Sequence, residues 1–380
     1  MKIAIVRGAF FNNFEAQLFD PLLNKHKFMA FSSQDAIHRT SNIPLTKLHS
    51  PMDMNFGPLA RIKMPILNRI FIDAHWLFGL ENKLEGFDIA HCADTFYAFT
   101  HQCINAKKVR KVKAVVASIY ENIPFNNEGI IGRKIFKSDA IKNIDRFLAV
   151  TERSKEALVL EGCDANKIIV FPSFIDTLRF VPHRNRKKNK NEIIVLFTGR
   201  MEFYKGVYEV IYSAKRLAQD VELKQFKLKF RLVGSGTERI KIEQLARKLG
   251  MSQSVSFEQT SYENMPKIYQ EADIFVAPSR AIKTYQEQFC TVLLEAQSSG
   301  LPIVTTSSGG IPENVGNVAL LANPGDFYSV SEQLKKFIIS EKLREEYSLK
   351  ARKQAVQKYD IQIGAKKLEQ IYLELLDKHD

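Results

Sequence analysis

Residues 287–315 read EQFCTVLLEAQSSGLPIVTTSSGGIPENV. Glu287 and Glu295 stand eight positions apart, with the apolar run Val292-Leu293-Leu294 between them. Gly300-Leu301-Pro302 then opens the strand-like run Ile303-Val304-Thr305, and a second glycine-rich turn follows at Gly309-Gly310. The passage reads as a loop, a helix and a strand start. Glu287 is expected in the loop and Glu295 about one turn inside the helix. The amides at the helix start, near Cys290 to Val292, carry positive potential suited to an anion.

The same alternation extends in both directions. Apolar runs at 2–6, 88–93, 114–120, 146–151 and 167–173 read as strands, with a helical pattern at 154–162 between them. A second series lies at 192–200, 229–236, 254–259, 273–279, 302–307 and 318–323, interleaved with helical patterns such as 207–218 and 241–250. No internal repeat of solenoid length is present. Alternating β and α therefore predicts a parallel, doubly wound sheet in each half. The chain has 380 residues, enough for two domains of roughly 180 each. The predicted divisions are 1–183, a basic linker at 184–191 containing RNRKKNK, 192–358, and 359–380. The last holds the amphipathic pattern IGAKKLEQIYLELL at 363–376.

Composition narrows the class. Hydrophobic residues make up 45% and charged residues 26%, as in a globular protein. No apolar run approaches the ~20 residues of a membrane span. The start, MKIAIVRGAFF, reads as a first strand rather than a signal peptide. Cys92, Cys103, Cys163 and Cys290 form no CxxC pair or Cys/His metal spacing, so a reduced, cytoplasmic chain without structural zinc is expected. The net charge of +13 divides as +6 over 1–183, +5 over 184–190 and +2 over 191–380. The excess thus sits in the first half and the linker, where it favours polyanionic surfaces.

The 287–315 pattern resembles the E-x7-E signature of retaining glycosyltransferases of the GT-B fold, particularly family 4 (glycosyl transferases group 1). That family usually shows EGFGxxxxE followed by A-x-x-x-G-x-P-V. This chain keeps Glu287, Phe289, Glu295, Ala296, Gly300 and Pro302, and departs at Gln288 and Cys290, where glycines are common. The resemblance implies an α/β protein of GT-B architecture, with two Rossmann-like doubly wound parallel-sheet domains facing a cleft. It also implies that the final helix packs back on the first domain. The donor would be a nucleotide-diphosphate sugar. Glu287 would bind sugar hydroxyls and Glu295 the ribose, with Phe289, Cys290 and Thr291 beside the diphosphate. A Cys290 thiol near a helix start would have a lowered pKa.

Other motifs fall in the order the family has. Thr198-Gly199-Arg200 ends a strand and Lys205-Gly206 follows. Charge builds on the leaving diphosphate when a sugar–phosphate bond breaks, and two fixed cations would stabilise it. Gly234-Ser235-Gly236 follows the next strand, where backbone could wrap a nucleotide. SVSFEQTSYENMPKIYQEADIFVAPS (254–279) resembles the family's V-x-F-x-G…Y-x-x-A-D…P-S segment, with Gln259 in place of the usual glycine. Backbone near Phe257 would meet the base, while Tyr262 and Tyr269 read as core or rim residues. No metal or cofactor is expected: the two cations would replace a divalent ion, and no Asp-x-Asp motif occurs.

The first half carries a fainter signal. Gly8 occupies the family's cleft-facing glycine position, and Arg7 beside it could meet phosphate. His91 and Asp94 are expected at a strand end facing the same cleft, with a satisfied core residue as the other reading of His91. Where the family often has a His-Asp or His-Glu pair, this chain has Tyr120 and Glu121. That leaves Glu121 or Asp94 as the base, or none, since retaining chemistry can use the leaving phosphate. Residues 60–80, ARIKMPILNRIFIDAHWLFGL, mix Arg61, Lys63 and Arg69 with large apolar residues, and KKVRKVK follows at 107–113. This suits an interfacial amphipathic helix on the inner, anionic face of a cell membrane, and hence a lipid-linked or oligosaccharide acceptor. The rival is a core-packing helix with snorkelling cations. Two other functions fit the pattern less well. A sugar-nucleotide epimerase or hydrolase would need a His cluster in the cleft. A nucleic-acid-binding protein would need basic residues interleaved with aromatics on one face.

Overall fold

The computed structural model describes residues 1–34, 42–183 and 191–377. The chain forms two compact units, Met1–Pro172 with Ile361–Asp380, and Ser173–Asp360. The basic run 184–190, expected as the linker, lies outside the described residues.

The first unit is built on seven strands: β1 (Lys2–Gly8), β2 (Lys27–Ser33), β3 (Leu45–Leu48), β4 (Phe87–Ala93), β5 (Val112–Ile119), β6 (Arg146–Ala149) and β7 (Ile168–Val170). Their order is β3-β2-β1-β4-β5-β6-β7, and every pairing is parallel. The second unit has six: β8 (Glu192–Thr198), β9 (Lys227–Val233), β10 (Val255–Glu258), β11 (Ile274–Ala277), β12 (Ile303–Thr306) and β13 (Ala319–Ala322). Their order is β10-β9-β8-β11-β12-β13, again all parallel. Central strands are buried along most of their length, as in Ile3–Val6 and Ile274–Ala277. That is the pattern of sheets covered by helices on both faces. The Val207–Ala218 helix shows how the cover forms: Val207, Val210, Ile211, Ala214 and Leu217 lie on one stripe and are buried.

Two strands, β2 and β3, were not among the expected ones. The edge strand β3 buries only Leu48 of its four residues, so its sequence lacks an apolar signature. The division between units also shifts from 183 to 172. Residues 173–183 lack helical or strand periodicity, yet tertiary bonds build them into the second unit. The Ile175 amide donates to the Tyr359 carbonyl at 2.8 Å, and the Phe180 carbonyl accepts from Ser298 Oγ at 2.7 Å. The Glu341–Lys358 helix stays in that unit, with Ala351 and Ala355 buried.

The Ile361–Leu376 helix belongs to the first unit. It buries Leu368, Ile371, Tyr372 and Leu375 there. Tyr372 Oη lies 2.5 Å from His91 Nδ1, and His91 Nε2 lies 2.8 Å from Ser118 Oγ. Burial, and then the nearby Arg7 cation, push the imidazole well below its usual pKa. His91 is therefore a neutral, satisfied core residue, the second of the two readings its sequence position allows. A neutral imidazole has one donor and one acceptor nitrogen, and both are used. Tyr372→Phe leaves one of them buried and unpaired, at a cost of about 1–3 kcal/mol. Scanning calorimetry is expected to show a melting temperature a few degrees lower; an unchanged value would discard His91–Tyr372 as the anchor of this helix.

Candidate functional site

In the second sheet the strand order reverses between β8 and β11. Crevices outside the carboxyl ends of the strands at such a reversal are where doubly wound sheets bind ligands. The two loops leaving these strand ends carry Gly199, Arg200 and Lys205 on one side, and Ser279, Tyr285 and Glu287 on the other.

Close backbone approaches hold these loops together. A Cβ on Gly234 would lie 2.0 Å from the Gly199 carbonyl oxygen, so only glycine fits there, after β9. Gly236 completes that turn, and the Met201 amide donates to the Ser235 carbonyl at 2.8 Å. The glycine-rich turn after β12 packs likewise: a Cβ on Gly309 would lie 2.1 Å from the Glu287 carbonyl oxygen, which accepts the Gly310 amide at 2.8 Å.

Lys205 and Glu287 form an ion pair at 2.6 Å. Glu287 is 2% exposed, and Oε1 also accepts from Ser279 Oγ at 2.6 Å. Tyr285 Oη accepts from Lys205 Nζ at 2.7 Å and lies 3.2 Å from Glu287 Oε2. Burial alone would push the carboxyl up, but the ammonium and the Ser279 and Tyr285 bonds hold it below its usual range. Burial would likewise lower the Lys205 pKa, yet Glu287 raises it. Both groups are therefore charged at neutral pH. Arg200 is exposed, and among the described residues it has no carboxylate partner. Its guanidinium lies 5.5 Å from the Tyr204 ring centre and the Lys205 ammonium 5.9 Å from the same ring. One aromatic ring thus gathers the two cations.

Glu295 is the fourth residue of the Val292–Ser298 helix and is buried. Its Oε2 accepts from Tyr269 Oη at 2.6 Å, and burial is the main cause that pushes its pKa up to about 7. Phe289 is a packing residue, its ring edge-on to Tyr359 at 5.9 Å. Cys290 adopts φ +59, the left-handed backbone that glycine takes without strain. That conformation explains why glycine is common at this position in the resembling family. Burial drives the Cys290 thiol well above its usual pKa, not below it. The Glu287 charge adds to the rise, and the Lys205 cation and the Leu293 amide do not offset it. Thr291 is the residue before the helix and makes no side-chain cap bond. Asn314, which drew no attention in the sequence, fixes this turn by donating to the Phe289 carbonyl at 2.5 Å. Phe257 lies in β10, two strands from β8, and is half-buried against the core.

The first unit has its own reversal, between β1 and β4. Gly8 has φ +54, and a Cβ there would press on the Phe99 ring at 3.0 Å. Arg7 is buried, bonded to Glu15 at 2.9 Å and to the His91 carbonyl at 3.0 Å, so it braces the fold rather than waiting for phosphate. Asp94 accepts the Tyr120 and Glu121 amides at 2.9 and 3.1 Å. Burial, aided by the Glu121 charge, pushes its pKa up to about 7. Glu121 accepts from the Asn122 and Ile123 amides and from the Asn126 and Asn127 side-chain amides, at 2.8–3.0 Å. Among the described residues, no group of three or more His, Cys, Asp or Glu is arranged to hold a metal ion.

Residues 181–354 match the glycosyl transferases group 1 family. A D-inositol 3-phosphate glycosyltransferase of Corynebacterium jeikeium is 29% identical over 260 residues, 64% of this chain and 60% of that protein. The capsular polysaccharide biosynthesis glycosyltransferase CapM of Staphylococcus aureus is 26% identical over 64% of this chain and 67% of its own length. The chain thus spans about 60% of the first of these relatives. Among solved structures, a sucrose-phosphate synthase from Thermosynechococcus elongatus superposes with a TM-score of 0.76 at 16% identity, covering 100% of both chains. HepE of Anabaena, solved in complex with UDP, gives 0.74 at 17% identity, covering 98% of this chain and 100% of that one. These likenesses establish the GT-B fold, and the match to the glycosyl transferases group 1 family falls within the second unit.

Proposed function

We propose that the chain transfers a sugar from a nucleotide-diphosphate sugar to an acceptor hydroxyl with retention of anomeric configuration. The observation that carries this reading is the charge arrangement at the β8/β11 reversal: an exposed Arg200, with no carboxylate partner among the described residues, beside the Lys205–Glu287 pair. An ammonium has three N–H donors. Tyr285 and Glu287 take two from Lys205, leaving one for a phosphate oxygen. Arg200 offers its planar fork to the same diphosphate. As the bond from the anomeric carbon to the phosphate oxygen breaks, negative charge grows on that oxygen, and the two cations stabilise it. The acceptor oxygen bonds to the same face of the sugar, and its proton passes to the departing phosphate. The ionised Glu287 holds a sugar hydroxyl and Glu295 the ribose. Divalent metal is not required in this scheme, since Arg200 and Lys205 supply the positive field.

The acceptor in this reading is lipid-linked or an oligosaccharide, met at the inner face of the cell membrane. In the first unit the Ala60–Phe71 helix buries Leu67 and Asn68 and turns Ile62, Ile66 and Ile70 to solvent, Ile70 being 66% exposed. An apolar stripe at four-residue spacing facing outward is the reverse of a core-packing helix, with Arg69 exposed beside it. The helix ends at Phe71, so Trp76 and Phe78 lie beyond it rather than on it. Among the described residues, no helix is long and apolar enough to cross a membrane.

Thermal stabilisation by UDP, GDP, ADP and their sugars tests the donor site. One nucleotide is expected to raise the melting temperature, with the rise lost in Arg200→Ala and Glu295→Ala. Lys205→Ala is expected to lower kcat by about 10²-fold or more, the scale of one transition-state donor. No shift with any nucleotide would defeat the assignment.

Vesicle sedimentation tests the surface. Binding is expected to phosphatidylglycerol vesicles and not to phosphatidylcholine, and to be lost in the double variant Ile66→Glu, Ile70→Glu. Equal binding by that variant would exclude the stripe.

A further inference from the structure

We propose that Tyr269 is a positioning residue that fixes the Glu295 carboxylate for the donor ribose, as the middle member of a buried chain Thr198–Tyr269–Glu295. The proposal rests on the reading of Glu295 as the ribose-binding group and assigns what holds it in place.

Tyr269 comes from the Met265–Gln270 helix and is fully buried. Its ring packs among Phe180 and Phe275, at 5.7 and 5.6 Å between ring centres. A buried phenol needs partners for its hydroxyl. Here they come from two other elements. Thr198 Oγ1, at the end of β8, lies 2.7 Å away, and Glu295 Oε2, in the Val292–Ser298 helix, lies 2.6 Å away. The Val292 carbonyl is a weaker third, at 3.4 Å. With Glu295 ionised, the order of donation is forced: the carboxylate only accepts, so Tyr269 donates to it and Thr198 donates to Tyr269. Thr198 is two residues before Arg200. One hydroxyl therefore ties the strand that delivers a diphosphate cation to the helix that delivers the ribose carboxylate.

A carboxylate that holds ribose hydroxyls must be ionised to accept from them. Burial opposes ionisation, while the bond from Tyr269, the Arg179 cation and the nearby Tyr262 hydroxyl favour it. The Cys290 thiol, also nearby, is neutral. Tyr269 thus contributes orientation and ionisation together. Donor binding is expected to strengthen as pH rises through about 7. Removing the Tyr269 hydroxyl removes a bond that favours the charged form, so the midpoint moves to higher pH.

Calorimetric titration of UDP, GDP and ADP between pH 5.5 and 9 tests this in wild type, Tyr269→Phe, Thr198→Val and Glu295→Gln. Glu295→Gln supplies the pH profile of the ligand's own phosphates. Tyr269→Phe is expected to weaken binding about tenfold at pH 7, the scale of one hydrogen bond to a charged group, and to shift the midpoint upward. Partial recovery is expected at pH 9. Thr198→Val is expected to shift it the same way by less, which keeps the test open should Tyr269→Phe fail to fold. Unaltered affinity and midpoint in the folded variants, with binding lost in Glu295→Gln, overturn the role of Tyr269. Full binding by Glu295→Gln instead defeats the ribose reading on which it rests.

Discussion

The Lys205–Glu287 ion pair is the constraint around which the second unit's loops are arranged. It joins the loop after β8 to the loop after β11 across the one place where the strand order reverses. Two charges removed from water at this depth are expensive, and a buried pair of this kind is often no better for stability than apolar packing. The surrounding residues serve to meet that cost: Ser279 and Tyr285 supply further bonds, and the Gly309 turn closes on the Glu287 backbone. Breaking the pair from one side would leave a buried charge alone, about 3–5 kcal/mol worse. The proposed donor site gives this costly pair a use that stability alone does not.

Much of this was legible in the sequence, and the reason is local. The parallel strands announce themselves as apolar runs because both of their faces are covered. The E-x7-E spacing, the Thr198-Gly199-Arg200 turn and the Gly309-Gly310 turn are short-range patterns whose geometry the neighbouring residues determine. What escaped is tertiary. Ser279 and Tyr285 lie on loops with no periodicity and Asn314 in the one-turn helix Ile311–Val315, and their roles arise only when distant segments meet. Tyr269 was readable as a core residue, and it is one, but its hydroxyl acquires a role from Thr198 and Glu295, 71 and 26 positions away. Residues 173–183 were assigned to the wrong unit for the same reason. Nothing in their pattern shows that Phe180 is bonded to Ser298.

Cys290 shows how a departure from a family's usual residue can be read physically. Its backbone is left-handed, where a side chain costs on the order of 1–3 kcal/mol. Its neighbours hold it there: Asn314 bonds both the Phe289 and Cys290 carbonyls, and Gln297 in turn holds Asn314 at 2.8 Å. The turn before the Val292–Ser298 helix is thus imposed by tertiary bonds rather than by glycine. The thiol is raised, against the lowering expected from a helix start, because its site is buried.

The two carboxylates of the first unit bear on where the acceptor's proton goes. Each of the four bonds to Glu121 comes from the loop 122–127, so its charge is committed to shaping that loop. Asp94 is engaged through one oxygen only, its Oδ1 accepting the Tyr120 and Glu121 amides. Taking up a proton would weaken these bonds in either case, since a protonated carboxyl accepts less well. A general base must have a lone pair to spare at the moment of transfer; Glu121 has both oxygens engaged by backbone and amide donors, whereas both bonds to Asp94 fall on Oδ1 and leave Oδ2 able to accept. In the proposed reaction the departing phosphate, whose basicity rises as its bond to sugar breaks, takes the acceptor's proton and calls on neither residue. Tyr120 in place of the family's histidine is compatible with that proposal, because the proton acceptor would travel with the donor substrate.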